Sequence, residues 1–255
     1  MRYELLGPLR VFDGREFHAL SAPKMEMTLA TLLVRAERVT TKEQIVEELW
    51  GEHPPRCASA ALHVYISQLR KFLAAAGERA AIVTKAPGYV LRLQGAGYDV
   101  AEFQRAVQHG RLHLQAGRYA EALAEFEKGL ALLRGPVLED LAEGPVLSAF
   151  AAWVETERLD CLELSIEARN ALGRHREVIG PLNTLIAQYP LRESLYRHLM
   201  VALYRSERQA DALAVYRSAH QVLRMELGVQ PCRSLRRLHH AILTSDDLLD
   251  LPAAS

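Results

Sequence analysis

The chain has 255 residues, enough for one large or two ordinary globular domains. Hydrophobic residues make up 49% and charged residues 24%, a composition that suits a globular protein and argues against a disordered chain. No apolar run approaches the roughly 20 residues that cross a bilayer, and the N-terminus lacks a signal-peptide pattern. Three isolated cysteines without metal-binding spacing indicate reduced thiols. We therefore expect a cytoplasmic protein with no membrane association, no metal and no cofactor.

The charges are unevenly distributed, although 31 basic residues balance 31 acidic ones. Residues 54–93 contain six basic residues and one acidic residue, Glu78. A local basic stretch in a neutral chain is typical of a small nucleic-acid-binding surface. A solvated charged surface gives the same pattern, so charge alone supports DNA binding only modestly.

The N-terminal segment has the alternating pattern of short β-strands. Asp13-Gly14 predicts a hairpin turn, after which the alternation continues through Phe17 and Ala19. Apolar residues then recur at helical spacing, which predicts a first helix over 23–36.

A second helix is predicted over residues 41–50. Its start carries a capping box, in which a threonine and a residue three positions later satisfy each other's backbone N–H groups. Two pairs fit this pattern, Thr40 with Glu43 and Thr41 with Gln44.

The third predicted helix covers about 58–74 and has one narrow apolar stripe. The residues of this stripe are Leu62, Ile66, Leu69 and Leu73. The opposite face carries Ala60, Val64, Ser67, Gln68 and Lys71.

A hairpin is predicted after the third helix, over residues 82–93. Its residues alternate, and Pro87-Gly88 predicts a type II turn between two strands. Strands, three helices and a hairpin follow one another in the order of a winged helix-turn-helix. We therefore predict such a domain over residues 1–95.

The remainder of the chain has a helical pattern with internal repetition. Three segments resemble one another, at 117–133, 173–189 and 207–223, and the last two are offset by 34 residues. This is the period of a tetratricopeptide repeat, a pair of antiparallel helices, although a plain helical bundle remains an alternative. We predict an all-α tetratricopeptide-like domain over 98–245 and a C-terminal tail over 246–255, so the fold class is mainly α.

Longer stretches carry a family resemblance. In the first part they are LLGPLRV, VTTKEQIVEELWGEHPP, ALHVYISQLRKFL and APGYVLRL, which resemble an OmpR-type winged helix. In the second part they are YDVAEFQRAV, LGRHREVIGPLNTLIAQYPLRESLYRHLMVALYRSERQADALAVY and ELGVQPCRSLRRLHHAIL, which resemble a bacterial transcriptional activation domain. The chain as a whole resembles the small form of the Streptomyces antibiotic regulatory protein family.

The resemblance implies a transcription activator of a secondary-metabolite gene cluster. Members of this family bind direct repeats in promoter DNA and recruit RNA polymerase holoenzyme. We expect the same partners here, with a dimer forming on double-stranded DNA.

The candidate DNA-binding residues lie on the third helix and the hairpin. They are Arg56, Ser59, His63, Val64, Ser67, Gln68, Arg70, Lys71, Thr84 and Lys85. Val64, Ser67 and Gln68 have side chains suited to base edges, whereas Arg70, Lys71 and Lys85 suit phosphates. Family members usually carry Gln and Arg where this chain has His63 and Gln68, so the preferred sequence is expected to differ.

Three other functions remain as alternatives to this interpretation. A repressor has the same sequence features as an activator, and a helical-repeat scaffold needs no DNA. An enzyme is disfavoured because the chain lacks GxSxG and HExxH motifs, and the lack of a GxxxxGK[ST] loop disfavours nucleotide-driven control. His239 and His240 are adjacent, so on a helix they diverge by about 100° and do not form a chelating pair.

Overall fold

The computed structural model describes residues 1–18, 20, 22–77, 81–138 and 140–244. Within these ranges, two small sheets and three helices precede residue 99, and helices and turns follow it. The predicted fold class, a winged helix-turn-helix followed by a helical domain, is confirmed. Ala19 and the predicted tail 246–255 lie outside the described residues.

The elements are numbered in chain order. The strands are β1 (Arg2–Glu4), β2 (Arg10–Phe12), β3 (Phe17–His18), β4 (Thr40–Thr41), β5 (Ile82–Lys85), β6 (Gly88–Leu91) and β7 (Gly97–Tyr98). The helices are α1 (Pro23–Val34), α2 (Lys42–Trp50), α3 (Ala58–Ala75), α4 (Asp99–Gln115), α5 (Tyr119–Leu130), α6 (Pro145–Ala171), α7 (His175–Gln188), α8 (Glu193–Tyr204), α9 (Gln209–Leu227) and α10 (Arg233–Thr244).

The chain forms two compact units. The first contains Met1–Ala106 and Lys128–Leu159, and the second contains Val107–Glu127 and the residues from Asp160 onwards. The first unit thus includes residues beyond the predicted winged helix. The predicted domains, 1–95 and 98–245, were defined by sequence pattern, and their boundaries stay a prediction.

The first sheet has the strand order β3-β2-β1-β7. The hairpin predicted at Asp13-Gly14 joins β2 to β3 and is confirmed. Asp13 accepts the N–H groups of Arg15 and Glu16 at 2.6 and 2.9 Å. Its bond with His18, together with these N–H groups, holds the pKa of Asp13 well below its usual range.

Asp99, the first residue of α4, is buried and holds the end of β1. Its carboxylate accepts the N–H groups of Leu5 and Leu6, each at 2.9 Å, and lies 3.7 Å from the guanidinium of Arg134. Burial raises the pKa of Asp99, and these three donors oppose that shift. Arg134 also lies 3.3 Å from Glu4, so the chain after α5 is fixed to the same strand.

The start of α2 is set by its capping box. The Thr41 hydroxyl accepts the N–H of Gln44 at 3.2 Å, and the Gln44 side chain accepts the N–H of Thr41 at 3.1 Å. Of the two pairs that fit the sequence, Thr41 with Gln44 is therefore the one that forms.

The apolar stripe of α3 forms the centre of the winged-helix core. Leu62, Ile66, Leu69 and Leu73 are all buried, as predicted, and α3 contacts both α1 and α2. Since this stripe is narrow, the opposite face of the helix is left exposed.

Strands β5 and β6 form the predicted hairpin, or wing, but the predicted type II turn is wrong. That turn needs a positive φ at Gly88, whereas Gly88 lies in β6 opposite Lys85 without one. The bond Ala86–Pro87 is cis. Residue 88 is glycine because β4 passes so close that a Cβ would lie 1.9 Å from the carbonyl oxygen of Thr40.

The repetition in the second part of the sequence corresponds to a repeated structure. Each repeat segment contains a helix, α5, α7 or α9, and each helix follows the same kind of turn. Gly117, Gly173 and Glu207 have φ of 72°, 75° and 61° at equivalent positions in these turns. In each turn the N–H of the next residue, an arginine, donates to the carbonyl five residues earlier at 2.9 Å. This is the Schellman geometry that ends helices.

Candidate nucleic-acid interface

The ten predicted DNA-binding residues are all exposed in the first compact unit. Eight lie on α3 or immediately before it, and two, Thr84 and Lys85, lie at the end of β5. The structure therefore places every candidate on the surface, within or next to the element for which it was predicted.

The outward face of α3 presents side chains with free hydrogen-bonding groups. Ser67, Gln68 and Lys71 make no hydrogen bond or ion pair within the described part of the chain. Val64 lies on the same face and is 52% exposed, which is unusual for a large apolar side chain. This face combines a donor and acceptor pair, a methyl surface and a cation, which are the groups that contact base edges and phosphates.

Arg70 links α3 to the wing. Its Nε donates to the carbonyl oxygen of Ile82 at 3.0 Å, and its Nη2 donates to the hydroxyl of Thr84 at 2.8 Å. Two of the ten predicted residues thus contact each other across the helix–wing junction. Sequence reasoning missed this role because Arg70 and Thr84 are separated by an intervening turn, and their periodicity gives no sign of pairing.

Half-buried aromatic residues fix the rotation of α3 about its axis. Tyr65 stacks on Trp50 of α2 with ring centroids 6.3 Å apart. Phe72 meets His18 of β3 edge-on at 6.2 Å. Tyr65 and Phe72 are seven residues apart and lie on the same flank of α3, so two contacts along this flank hold the helix in one rotation.

An open groove lies beside the start of α3 and has a different character. Its volume is about 810 Å³, and it is lined by α2, by the segment that connects α2 to α3, and by Pro145. Glu43, Glu47 and Glu52 contribute carboxylates to it, and Ser59 lies at its edge. These three carboxylates outnumber Lys42, the cation that also lines the groove, so the groove itself is unfavourable for phosphate groups.

Two further properties concern the described residues only. In that part of the chain, no group of three or more His, Cys, Asp or Glu side chains is arranged to hold a metal ion. None of the helices there is long and apolar enough to cross a bilayer.

Comparison with known families matches both parts of the chain. Residues 18–91 match the family described as transcriptional regulatory protein, C terminal. Residues 98–243 match the bacterial transcriptional activator domain.

Individual relatives extend over nearly the whole chain. Transcriptional regulator RedD of Streptomyces coelicolor is 39% identical over 98% of this chain and 72% of its own length. Regulatory protein DnrI of Streptomyces peucetius is 32% identical over 100% of this chain and 98% of its own length. The chain spans a smaller part, 26%, of Regulatory protein AfsR of Streptomyces griseus, at 35% identity.

A solved structure has the same fold. It is that of Mycobacterium tuberculosis EmbR in complex with a low affinity phosphopeptide, with a TM-score of 0.91 and 34% identity. The match covers 96% of this chain and 65% of the EmbR chain. These comparisons agree with the winged helix, the helical domain and their order, and the chain belongs to the Streptomyces antibiotic regulatory protein family of transcriptional regulators.

Proposed function

We propose that this protein is a sequence-specific transcription activator of a secondary-metabolite gene cluster. It binds direct repeats in promoter DNA and recruits RNA polymerase holoenzyme. The observation that carries the proposal is the exposed, unpaired face of α3 beside the β5–β6 wing, in a chain of a transcription-regulator family. No catalytic step is part of this function.

In this function, α3 reads bases in the major groove. The helix has 18 residues, so it is about 27 Å long, and its outward face meets the base edges. Val64 contacts a thymine methyl group, and Ser67 and Gln68 form hydrogen bonds to bases. The Gln68 amide fits an adenine edge, which presents one donor and one acceptor.

Phosphate contacts surround this reading face. Lys71 and His63 lie along the helix, and Lys85 reaches the backbone from the wing. Arg56 and Ser59 lie at the start of α3, where free N–H groups favour an anion. Arg70 and Thr84, which bond to each other, set the spacing between helix and wing.

Because few side chains contact bases, one protein molecule binds a single half-site with modest affinity. Two copies on a direct repeat add their contacts, and a direct repeat requires head-to-tail rather than two-fold packing. We therefore expect a dimer on DNA. Sedimentation with and without a repeat duplex tests this, and one copy saturating both half-sites would contradict it.

The first experiment is a mobility-shift titration on promoter DNA from this gene's own locus. Q68A is expected to reduce binding to the specific duplex by about 1–3 kcal/mol, with little change on scrambled DNA. K71A is expected to weaken binding to both the specific and the scrambled duplex. It is also expected to reduce the slope of log affinity against log salt concentration by about 0.9. Gln104, which is exposed on α4 and is not among the predicted DNA-binding residues, offers a matched control as Q104A.

Adding purified RNA polymerase holoenzyme to the same assay then distinguishes an activator from a repressor and from a scaffold. A ternary complex, with increased transcription from the promoter, supports the activator. Specific binding that excludes polymerase identifies a repressor. No specific shift on any local promoter at moderate salt contradicts DNA reading by α3 and favours an interaction scaffold.

A further inference from the structure

Helix α10, in the second compact unit, has a face made of basic residues. Arg233, Arg236, Arg237 and His240 are spaced so that they fall within about 100° of one another around the helix. All four are exposed, whereas Leu235 and Ile242 on the opposite side are fully buried. The basic face of α10, defined by these four residues, is therefore turned away from the core of its unit.

The basic face of α10 has no acidic residue within the helix itself. The sequence of α10, RSLRRLHHAILT, contains no Asp or Glu. Within the described residues, no carboxylate lies at ion-pairing distance from any of the four side chains. By contrast, Arg192 and Arg208 of the same unit pair with Asp160 and Asp211.

The helix that carries this face is firmly positioned. The Gln209 side chain donates to the carbonyl oxygen of Ile242 at 2.7 Å, and the His239 ring stacks on Tyr216 at 3.8 Å between centroids. Because the helix is already fixed, binding through these cations costs no backbone conformational entropy in α10.

We infer that the basic face of α10 is a second DNA contact, which binds the phosphate backbone of duplex DNA without regard to sequence. Its four residues extend about 10 Å along the helix axis, a length over which duplex DNA carries about six phosphate charges. The planar guanidinium group of arginine can donate two parallel hydrogen bonds to phosphate oxygens. Because α10 contains no acidic residue, the helix itself does not repel the phosphates. The inference rests on the proposed DNA binding, which it extends to the activation domain.

The test compares the full-length chain with R233Q/R236Q/R237Q by fluorescence anisotropy. Affinity is measured at salt concentrations from roughly 50 to 200 mM, for the direct-repeat duplex and for a scrambled duplex of equal length. We expect the log–log salt slope to fall by about 2–3 for both duplexes, because each lost phosphate contact removes about 0.9.

Two matched variants isolate the position and the charge. R174Q/R176Q/R217Q removes three exposed arginines elsewhere in the same unit and is expected to change the slope by less than about 0.5. R233K/R236K/R237K keeps the charge and is expected to retain the slope. Thermal melting of each variant confirms that the fold is intact.

Each other outcome overturns the inference in a recognisable way. A wild-type slope for the glutamine variant overturns it and leaves the proposed function intact, whereas absence of DNA binding by the wild type overturns both. An equal fall of the salt slope in R233Q/R236Q/R237Q and R174Q/R176Q/R217Q shows an effect of net charge rather than a binding site on α10. Unchanged DNA binding with lost promoter activation assigns the face to an acidic protein partner.

Discussion

The carboxylate of Glu48 occupies the space in which a side chain at Gly144 would lie. A Cβ on residue 144 would be 2.4 Å from the carboxyl carbon of Glu48. Glu48, on α2, is 2% exposed and accepts the N–H groups of Val146 and Leu147 at 2.6 and 3.0 Å. The first turn of a helix has N–H groups without helical acceptors, so this carboxylate completes the start of α6.

Replacing Glu48 with alanine is expected to lower the free energy of unfolding by about 2–3 kcal/mol. The substitution removes two hydrogen bonds to a charged acceptor and leaves two N–H groups without a partner. Urea titration followed by circular dichroism measures the change. E47A, at the exposed neighbouring position on α2, is the control and is expected to change stability by less than about 0.5 kcal/mol.

Gly144→Ala tests the close approach itself. The new methyl group meets both the Glu48 carboxyl and, at 2.7 Å, the Glu48 backbone carbonyl oxygen. Because E48A removes only the first of these clashes, G144A destabilises the wild type more than it destabilises the E48A variant. We expect a coupling of about 1 kcal/mol in the double-mutant cycle. Strict additivity would show that the two residues act independently.

His198 of α8 is expected to make stability depend on pH. Burial lowers the pKa of His198 from 6.5 to about 4, with a smaller effect from Arg197. The unfolded chain therefore binds a proton in this window that the folded chain does not, so stability falls as pH drops from about 6.5 to 4. Between pH 7 and pH 5, this group accounts for a loss of about 2 kcal/mol.

The measurement is the free energy of unfolding at several pH values for the wild type and H198M. Their difference is expected to change by about 2 kcal/mol between pH 7 and pH 5, because only the wild type carries this histidine. H53Q, at an exposed position, serves as the control. Parallel pH profiles for the wild type and H198M would refute the prediction.

Glu207 is a position at which glycine is expected to stabilise the protein. It has φ of 61°, which L-residues adopt at a cost, whereas the equivalent turns have Gly117 and Gly173. After allowance for the greater flexibility of glycine in the unfolded chain, E207G is expected to add about 0.5–1 kcal/mol. Differential scanning calorimetry measures this as a rise in Tm.

The matched variant E207A separates backbone conformation from charge. It removes the same carboxylate and keeps a Cβ, so no comparable stabilisation is expected. G173A, which places a Cβ at φ of 75°, is expected to destabilise by about 1 kcal/mol. Equal effects of E207G and E207A would show that the carboxylate, not the conformation, matters.

Arg70 and Thr84 are expected to act on DNA binding as a pair. R70A and T84V each break the link between α3 and the wing, so each is expected to weaken binding to the direct-repeat duplex about 5- to 20-fold. The double variant is expected to be little weaker than either single variant. The salt slope should change by less than about 0.5, whereas a fall of about 0.9 on R70A alone would identify a direct phosphate contact.

The sequence by itself determined the elements whose cause is local. Apolar residues at helical spacing define the buried stripe of α3, and that stripe also decides which side chains face outward. The Asp13-Gly14 turn and the capping of α2 are likewise set by neighbouring residues. The exposed positions of the seven candidate residues within α3 could be predicted for the same reason.

Only the tertiary structure decided what distant segments do to one another. Pro87-Gly88 gives the local signal of a type II turn, but the approach of β4 puts Gly88 in a strand instead. The bond between Arg70 and Thr84 and the capping of α6 by Glu48 join elements that no periodicity relates. Such contacts depend on how helices and strands pack in three dimensions. A pattern of neighbouring residues carries no information about which distant segments come into contact.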